Sequence, residues 1–213
     1  MDHLDKTRND HSDFLHGELK DYLSDPMLMF QKWYQLAHEK QVSSPHAMVI
    51  STVDSDGQPS SRVVYMKEVL EEGLIFYTNY QSKKGKDLLE NKKISALFFW
   101  QGTEQQIRIE GNVIKVDPII SDDYFASRPR VSQIGAWASE QSSSIDNRQI
   151  LEDRVAYFET KYPNKVPRPP HWGGYLIVPH YFEFWQGRLG RLHDRICYRK
   201  NKNGKLVIQR LAP

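Results

Sequence analysis

HAMVISTVDSDGQPSSRVVYMK, residues 46–67, sets the architecture. His46 to Val53 is apolar and rich in β-branched residues, which favour a pleated, half-buried surface. Asp56-Gly57 is a hairpin signal, because glycine accepts the positive φ of a tight turn. Ser61 to Lys67 then reads as the returning strand. Two strands joined by so short a turn are antiparallel, since a parallel pair needs a long crossover.

The pattern continues on both sides. Upstream, Asp25 can cap a helix and Pro26 suits its first turn. Met29, Phe30, Trp33, Tyr34 and Ala37 follow at helical spacing, which predicts one buried face. Downstream, Gly73 marks a turn before a strand over Leu74 to Thr78. A short basic helix is expected from Ser82 to Asn91, then strands over Ile94 to Trp100 and Gln105 to Val116. The middle reads as helical: Pro118 to Ser127, Pro129 to Trp137, and Ile145 to Lys161 with Ile150, Leu151, Val155 and Phe158 on one face. Prolines 163, 167, 169 and 170 break the chain. Strands resume at Gly174, with Tyr175, Ile177 and Tyr181 to Trp185 in one or two strands interrupted near Pro179. Leu192 to Lys200 and Lys205 to Leu211 flank the hairpin signal Asn203-Gly204. So many short antiparallel strands are best accommodated by a closed or split barrel with helices packed on it.

Composition narrows the function classes. A chain of 213 residues with 39% hydrophobic and 12% aromatic residues can bury a core, and is read as one domain over 24–213 behind a polar, mobile segment over 1–23. A net charge of +2 offers no global field for nucleic acid. No run approaches the roughly 20 apolar residues of a membrane span, and the polar N-terminus does not read as a secretory signal, so the cytoplasm is expected. The single cysteine, Cys197, cannot form an internal disulfide and reads as a small core residue. The eight histidines show no metal-binding spacing, so no metal is expected. Dinucleotide, Walker and nucleophile-elbow motifs are missing.

Four clusters could carry chemistry. Arg62 and Lys67 lie five apart on the second strand and face opposite sides. Tyr77-Thr-Asn-Tyr-Gln-Ser-Lys83-Lys84 runs a strand into a helix start, where free N–H groups beside lysines suit a phosphate. Tyr124, Arg128, Arg130 and Ser132 gather at a helix junction, and arginine's planar fork matches phosphate. Phe184-Trp185-Gln186-Gly187 precedes Arg191-Leu-His193-Asp194-Arg195, whose alternation predicts Arg191, His193 and Arg195 on one strand face, with Leu192 turned to the core. Taken singly, each cluster has a plain reading as solvated surface charge. Three cationic or titratable groups on one face are costly unless an anion or polar ring meets them.

Taken in order, these clusters closely resemble the pyridoxine/pyridoxamine 5′-phosphate oxidase family. The resemblance rests on Arg62-Val-Val-Tyr-Met-Lys67, Tyr77-Thr-Asn79, Ser127-Arg-Pro-Arg-Val-Ser-Gln-Ile-Gly-Ala-Trp137, Glu183-Phe-Trp-Gln-Gly187, Arg191-Leu-His-Asp-Arg195 and the terminal Arg210-Leu-Ala-Pro213. It covers Ser24 to Pro213 and implies an FMN-binding split β-barrel, mainly β with packed helices, and a homodimer with FMN at the subunit interface. The implied activity is oxidation of pyridoxine 5′-phosphate and pyridoxamine 5′-phosphate to pyridoxal 5′-phosphate, with O2 as acceptor and H2O2 as product. Carried over by position, FMN contacts fall on Arg62, Val63, Lys67, Tyr77, Thr78, Lys83, Lys84, Gln106, Gln141, Ser142, Trp185 and Arg195. Substrate-phosphate contacts fall on Lys67, Tyr124, Arg128 and Ser132, and Arg191 and His193 flank the substrate ring as the catalytic pair. The family's Ser-Arg-Lys is Ser82-Lys83-Lys84 here, and Arg8 and His11 stand where the family often carries an Arg-x-x-Tyr lid. Competing readings are a split-barrel flavin oxidoreductase with another substrate, opposed by the Tyr124, Arg128 and Ser132 cluster, and a flavin or pyridoxal phosphate binder without turnover, opposed by Arg191 and His193.

Overall fold

The computed structural model describes residues 19–213. Of the segment 1–23 expected to be mobile, residues 1–18, with the Arg8/His11 lid, lie outside the described residues; Leu19 is buried, and its amide donates to the Asp194 carboxylate at 2.9 Å.

The chain forms two compact units. One takes in the described residues up to Pro45, Leu97–Ile109 and His180–Pro213; the other takes in His46–Ala96 and Glu110–Pro179. The elements in chain order are α1 (Pro26–Glu39), β1 (Ala47–Val53), β2 (Pro59–Val69), β3 (Leu74–Asn79), α2 (Lys83–Glu90), β4 (Lys93–Trp100) and β5 (Gln105–Lys115). There follow α3 (Pro118–Ser127), α4 (Arg130–Ala138), α5 (Gln149–Lys161), β6 (Trp172–Gln186), β7 (Asp194–Lys200) and β8 (Leu206–Leu211). Hydrogen bonding joins the strands in the order β3-β2-β1-β4-β5-β6-β7-β8, and β3 also pairs with β6, closing six strands into an antiparallel barrel. No described helix is long and apolar enough to cross a membrane.

In the first unit, the Asp25 carboxylate accepts from the Met27 and Leu28 amides at 2.7 and 3.2 Å, so α1 starts where its capping chemistry predicts. Met29, Phe30, Trp33 and Ala37 are buried. Phe30 meets Phe98 and Trp33 meets Phe184, each edge to face at 5.2 Å between ring centres. Burying each such aromatic is worth on the order of 1.5–3 kcal/mol. Cys197 is fully buried, as a small core residue should be. The turn between β7 and β8 is built by Asn201, whose side chain accepts from the Asn203 and Lys205 amides.

In the second unit, β1 and β2 pair from Ala47↔Tyr65 to Val53↔Pro59. The Asp54 carboxylate closes their turn by accepting from the Asp56 and Gln58 amides, with Gly57 at φ 82°. β2 meets β3 only from Met66 onwards, through a register shift between Met66 and Glu68. β3 pairs with β6 along its whole length, Leu74↔Ile177 to Asn79↔Trp172. Among the described residues the part of β2 before Met66 therefore has no partner on its β3 side, and the barrel is split there.

Three local expectations need correction. The helix expected from Ile145 begins at Gln149, because the Asn147 side chain accepts from the Ile150 amide and starts the helix later; its expected apolar face is half-buried. Of the one or two strands expected around Pro179 the chain forms one, β6, uninterrupted there: Pro179 falls between the segment paired with β3 and the segment paired with β7, so its missing N–H costs neither pairing. The strand expected from Leu192 begins at Asp194. Leu189–Arg191 is a 3-10 turn with Gly190 and Arg191 both left-handed, at φ 62° and 61°, and Leu192 is 72% exposed rather than turned to a core. Arg191, His193 and Arg195 thus do not alternate along one strand.

Candidate active site

The split between β2 and β3 opens into a cavity of about 910 Å³. Its lining brings together Arg62, Val63, Lys67, Tyr77, Thr78, Lys83, Lys84, Tyr124, Arg128, Ser132, Gln141 and Ser142. Consecutive β2 residues, Arg62 to Tyr65, and Lys67 all line it. Five of the lining side chains are cationic and none is a carboxylate, so the cavity selects for anions.

One cluster is built by the turn from β3 into α2. Ser82 caps α2, its hydroxyl accepting from the Gly85 amide at 3.3 Å. A Cβ at Gly85 would lie 2.1 Å from the Tyr80 carbonyl oxygen, so this tight entry requires glycine. Lys84 is buried, and its ammonium donates to Thr78 Oγ1 at 3.2 Å, Gln141 Oε1 at 3.1 Å and Ser82 Oγ at 3.3 Å. These acceptors are neutral. Burial, and then the Arg62 charge, push its pKa down to about 8. Arg62 donates to Thr52 Oγ1 at 2.7 Å and stands 4.0 Å from the buried Asp87 carboxylate; burial lowers its pKa too. Lys83 is half-exposed, and its ammonium is shared between Asp54 at 3.0 Å and Asp87 at 3.3 Å. The two neighbouring lysines therefore differ: Lys84 offers an uncompensated charge, whereas Lys83 is largely neutralised.

A second cluster surrounds Arg128, at the end of α3. Tyr77 and Tyr124 stack at 3.9 Å between ring centres, and the Tyr77 hydroxyl donates to Glu68 at 2.9 Å. Burial and that carboxylate raise the Tyr77 pKa. The Arg128 guanidinium lies over the Trp172 ring at 4.6 Å, and burial lowers its pKa. Its Nη1 is buried without a hydrogen-bond partner among the described residues. A buried, unpaired cationic donor is costly unless a ligand meets it. Trp172 was not among the residues expected from sequence; its place before Gly173-Gly174 was the only available signal.

Gln106, Trp185, Arg191, His193 and Arg195 belong to the other compact unit. The His193 ring packs on Trp185 at 4.6 Å, and its Nδ1 accepts from the Arg188 amide at 3.1 Å, which sets the tautomer. Burial, then the Arg191 charge, lower its pKa. Arg195 donates to the buried Glu183 carboxylate at 2.8 Å and to the Ala212 carbonyl at 2.7 Å. Glu183 also accepts from Arg108 and Tyr181, each at 2.9 Å. The charge of Arg195 is therefore compensated by protein, which the spacing of Arg191, His193 and Arg195 did not reveal.

Residues 35–162 match the family model described as pyridoxamine 5′-phosphate oxidase. Residues 172–213 match the pyridoxine 5′-phosphate oxidase C-terminal dimerisation region. The chain belongs to the pyridoxamine 5′-phosphate oxidase family. It is 50% identical over 193 residues to the pyridoxine/pyridoxamine 5′-phosphate oxidase of Cupriavidus metallidurans, covering 91% of each chain. It is 49% identical over 210 residues to the enzyme of the same name from Mannheimia succiniciproducens, covering 99% of each. Among solved structures it is similar to PhzG from Burkholderia lata 383, determined in complex with tetrahydrophenazine-1-carboxylic acid. That likeness has a TM-score of 0.87 and 32% identity, and covers 94% of this chain and 98% of that one. The Arg62-Val-Val-Tyr-Met-Lys67 stretch lies in β2, paired with β1 as far as Tyr65 and ending at the register shift towards β3, and the Ser-Arg-Pro-Arg stretch is the α3–α4 junction.

Proposed function

We propose that this chain is an FMN-dependent oxidase that converts pyridoxine 5′-phosphate and pyridoxamine 5′-phosphate to pyridoxal 5′-phosphate. The alcohol substrate and O2 give the aldehyde and H2O2; the amine substrate, O2 and water give the aldehyde, ammonia and H2O2. The observation that carries this reading is the anion-selective cavity with two separate cations that meet no carboxylate among the described residues, Lys84 beside Thr78 and Arg128 beside Tyr124. Two phosphate-bearing ligands, flavin and substrate, need two such sites.

In this reading Arg62, Lys84, Thr78 and Gln141 hold the FMN phosphate, with Lys83, Val63, Tyr77 and Ser142 around it. Arg128, Tyr124, Ser132 and Lys67 hold the substrate phosphate. Gln106, Trp185 and Arg195 complete the flavin contacts, and Arg191 and His193 flank the substrate ring. When bound, FMN would supply the redox chemistry, as acceptor of the two electrons of the substrate's 4′ carbon with O2 as the final oxidant. The chain's own work is to bind, orient and exclude water. A neutral His193 with its Nδ1 tied to the backbone presents Nε2 as the ring's other functional atom. We place the active form as a homodimer in the cytoplasm; the match to a dimerisation region over residues 172–213 supports the dimer.

The test is aerobic incubation of purified protein and FMN with pyridoxine 5′-phosphate. Pyridoxal 5′-phosphate and peroxide should appear in equal amounts, and the bound flavin should have the mass of FMN. Failure to form either product with FMN present would overturn the proposal. Turnover of a different reductant alone would favour another flavin oxidoreductase.

A further inference from the structure

Arg128 poses a problem of orientation. A buried arginine is usually steered by a carboxylate, which grips its N–H edge and cancels its charge. Among the described residues the Arg128 Nη1 is buried without a hydrogen-bond partner, and the one group that shifts its charge besides burial is the Tyr124 phenol, not a carboxylate. Its guanidinium instead lies over two aromatic faces, 4.6 Å from the Trp172 ring centre and 5.6 Å from that of Phe125. A stacked guanidinium is held by its face, so its in-plane N–H fork remains available.

The same indole braces the neighbouring phenol. Trp172 lies nearly parallel to Tyr77 at 5.4 Å and to Tyr124 at 6.2 Å, with interplanar angles of 9° and 5°. Trp172 is itself only 7% exposed. Its main chain is pinned at the start of β6: its amide donates to the Pro169 carbonyl at 3.0 Å, and its carbonyl accepts from Arg168 at 2.6 Å.

We propose that Trp172 is a positioning residue for phosphate recognition, seating the Arg128 guanidinium by its face so that the whole N–H fork is presented to the substrate phosphate. This rests on the proposed function for the identity of the ligand. A carboxylate in the place of Trp172 would orient Arg128 equally well but would compete with the phosphate; an aromatic face orients without competing.

The experiment compares wild type with Trp172→Phe and Trp172→Leu. An exposed to desolvated cation–π contact is worth on the order of 0.5–2 kcal/mol, or about two- to thirtyfold in binding. KM for pyridoxine 5′-phosphate should rise by about that factor in Trp172→Leu and less in Trp172→Phe, with kcat little changed. Competitive inhibition by inorganic phosphate should weaken by the same factor, while FMN content and kcat/KM for unphosphorylated pyridoxine stay at the wild-type level. Equal losses with both substrates, or loss of flavin, would assign Trp172 to packing alone and overturn the inference. If Trp172→Leu does not fold, Trp172→Phe decides: a phosphate-selective rise supports the inference and an unselective or absent one refutes it. If wild type fails to oxidise pyridoxine 5′-phosphate, the proposed function fails. Calorimetric binding of inorganic phosphate to wild type and Trp172→Phe would still test the role of Trp172, with equal affinity refuting it.

Discussion

Replacing Lys84 with methionine should remove the pH dependence of FMN binding along with much of its strength. The Lys84 ammonium is buried, donates among the described residues only to the neutral oxygens of Thr78, Ser82 and Gln141, and has its pKa pushed down to about 8. Against the ordinary lysine value of 10.5, that depression makes the protonated form costly by roughly 3 kcal/mol, at 1.36 kcal/mol per pH unit. A phosphate beside it reverses the balance, because the pair favours the charged form. Binding FMN should therefore draw a proton onto Lys84 at any pH above about 8. For the ligand-free protein the depressed lysine pKa means that the unfolded chain binds more protons between about 8 and 10.5, so stability rises with pH across that window. FMN affinity should fall across the same window, by close to tenfold per pH unit once Lys84 is neutral in the free protein. In Lys84→Met, affinity near neutral pH should drop by about ten- to a hundredfold, the worth of one charge-assisted hydrogen bond, and this part of the profile should be flat. Quenching of flavin fluorescence on binding, titrated at a series of pH values from about 7 to 9.5, measures both. Parallel profiles in wild type and variant would show that another group takes up the proton and would refute this account.

Three further outcomes are expected. Arg128→Ala should raise KM for the phosphorylated substrates about ten- to a hundredfold while FMN stays bound; loss of flavin instead would mean that the two phosphate sites have been exchanged. Arg191→Met and His193→Asn should slow anaerobic flavin reduction in stopped-flow by up to about a hundredfold with little change in melting temperature, and unaltered rates would remove both from the catalytic assignment. Glu183→Gln should destabilise the fold by about 3–5 kcal/mol in denaturant unfolding, because Arg195 and Arg108 lose a buried counter-charge; a change under about 1 kcal/mol would show that the cluster is solvated.

Short-range physics was readable from the chain alone. Asp25 with Pro26 starts α1, and Asp56-Gly57 and Asn203-Gly204 turn two hairpins, because capping and positive-φ demands are met within a few residues. Apolar, β-branched runs between turn signals located β1 through β5 for the same reason. Order and spacing of charged motifs also sufficed to place the chain in its family. Where a period-two pattern arose without a strand, at Arg191-Leu-His193, the pattern misled; two left-handed residues in a row, Gly190 and Arg191, override it. The late start of α5 at Gln149 was likewise local, but the bond from the Ile150 amide to the Asn147 side chain competes with an apolar pattern that begins at Ile145.

What only the tertiary structure decided is which charges are compensated. Lys83 and Lys84 are neighbours in sequence, yet Asp54 and Asp87 neutralise one and neutral acceptors surround the other. Arg195 is paired with Glu183 only because β6 and β7 align in the register that brings them together. Arg128 has no acid paired with it among the described residues and is laid on Trp172, 44 positions along the chain. Coulombic attraction and desolvation act over a few ångströms of space, whatever the separation along the chain. An arginine's neighbours in sequence can therefore predict that it suits a phosphate, while the folded barrel determines whether it still has a charge to offer one.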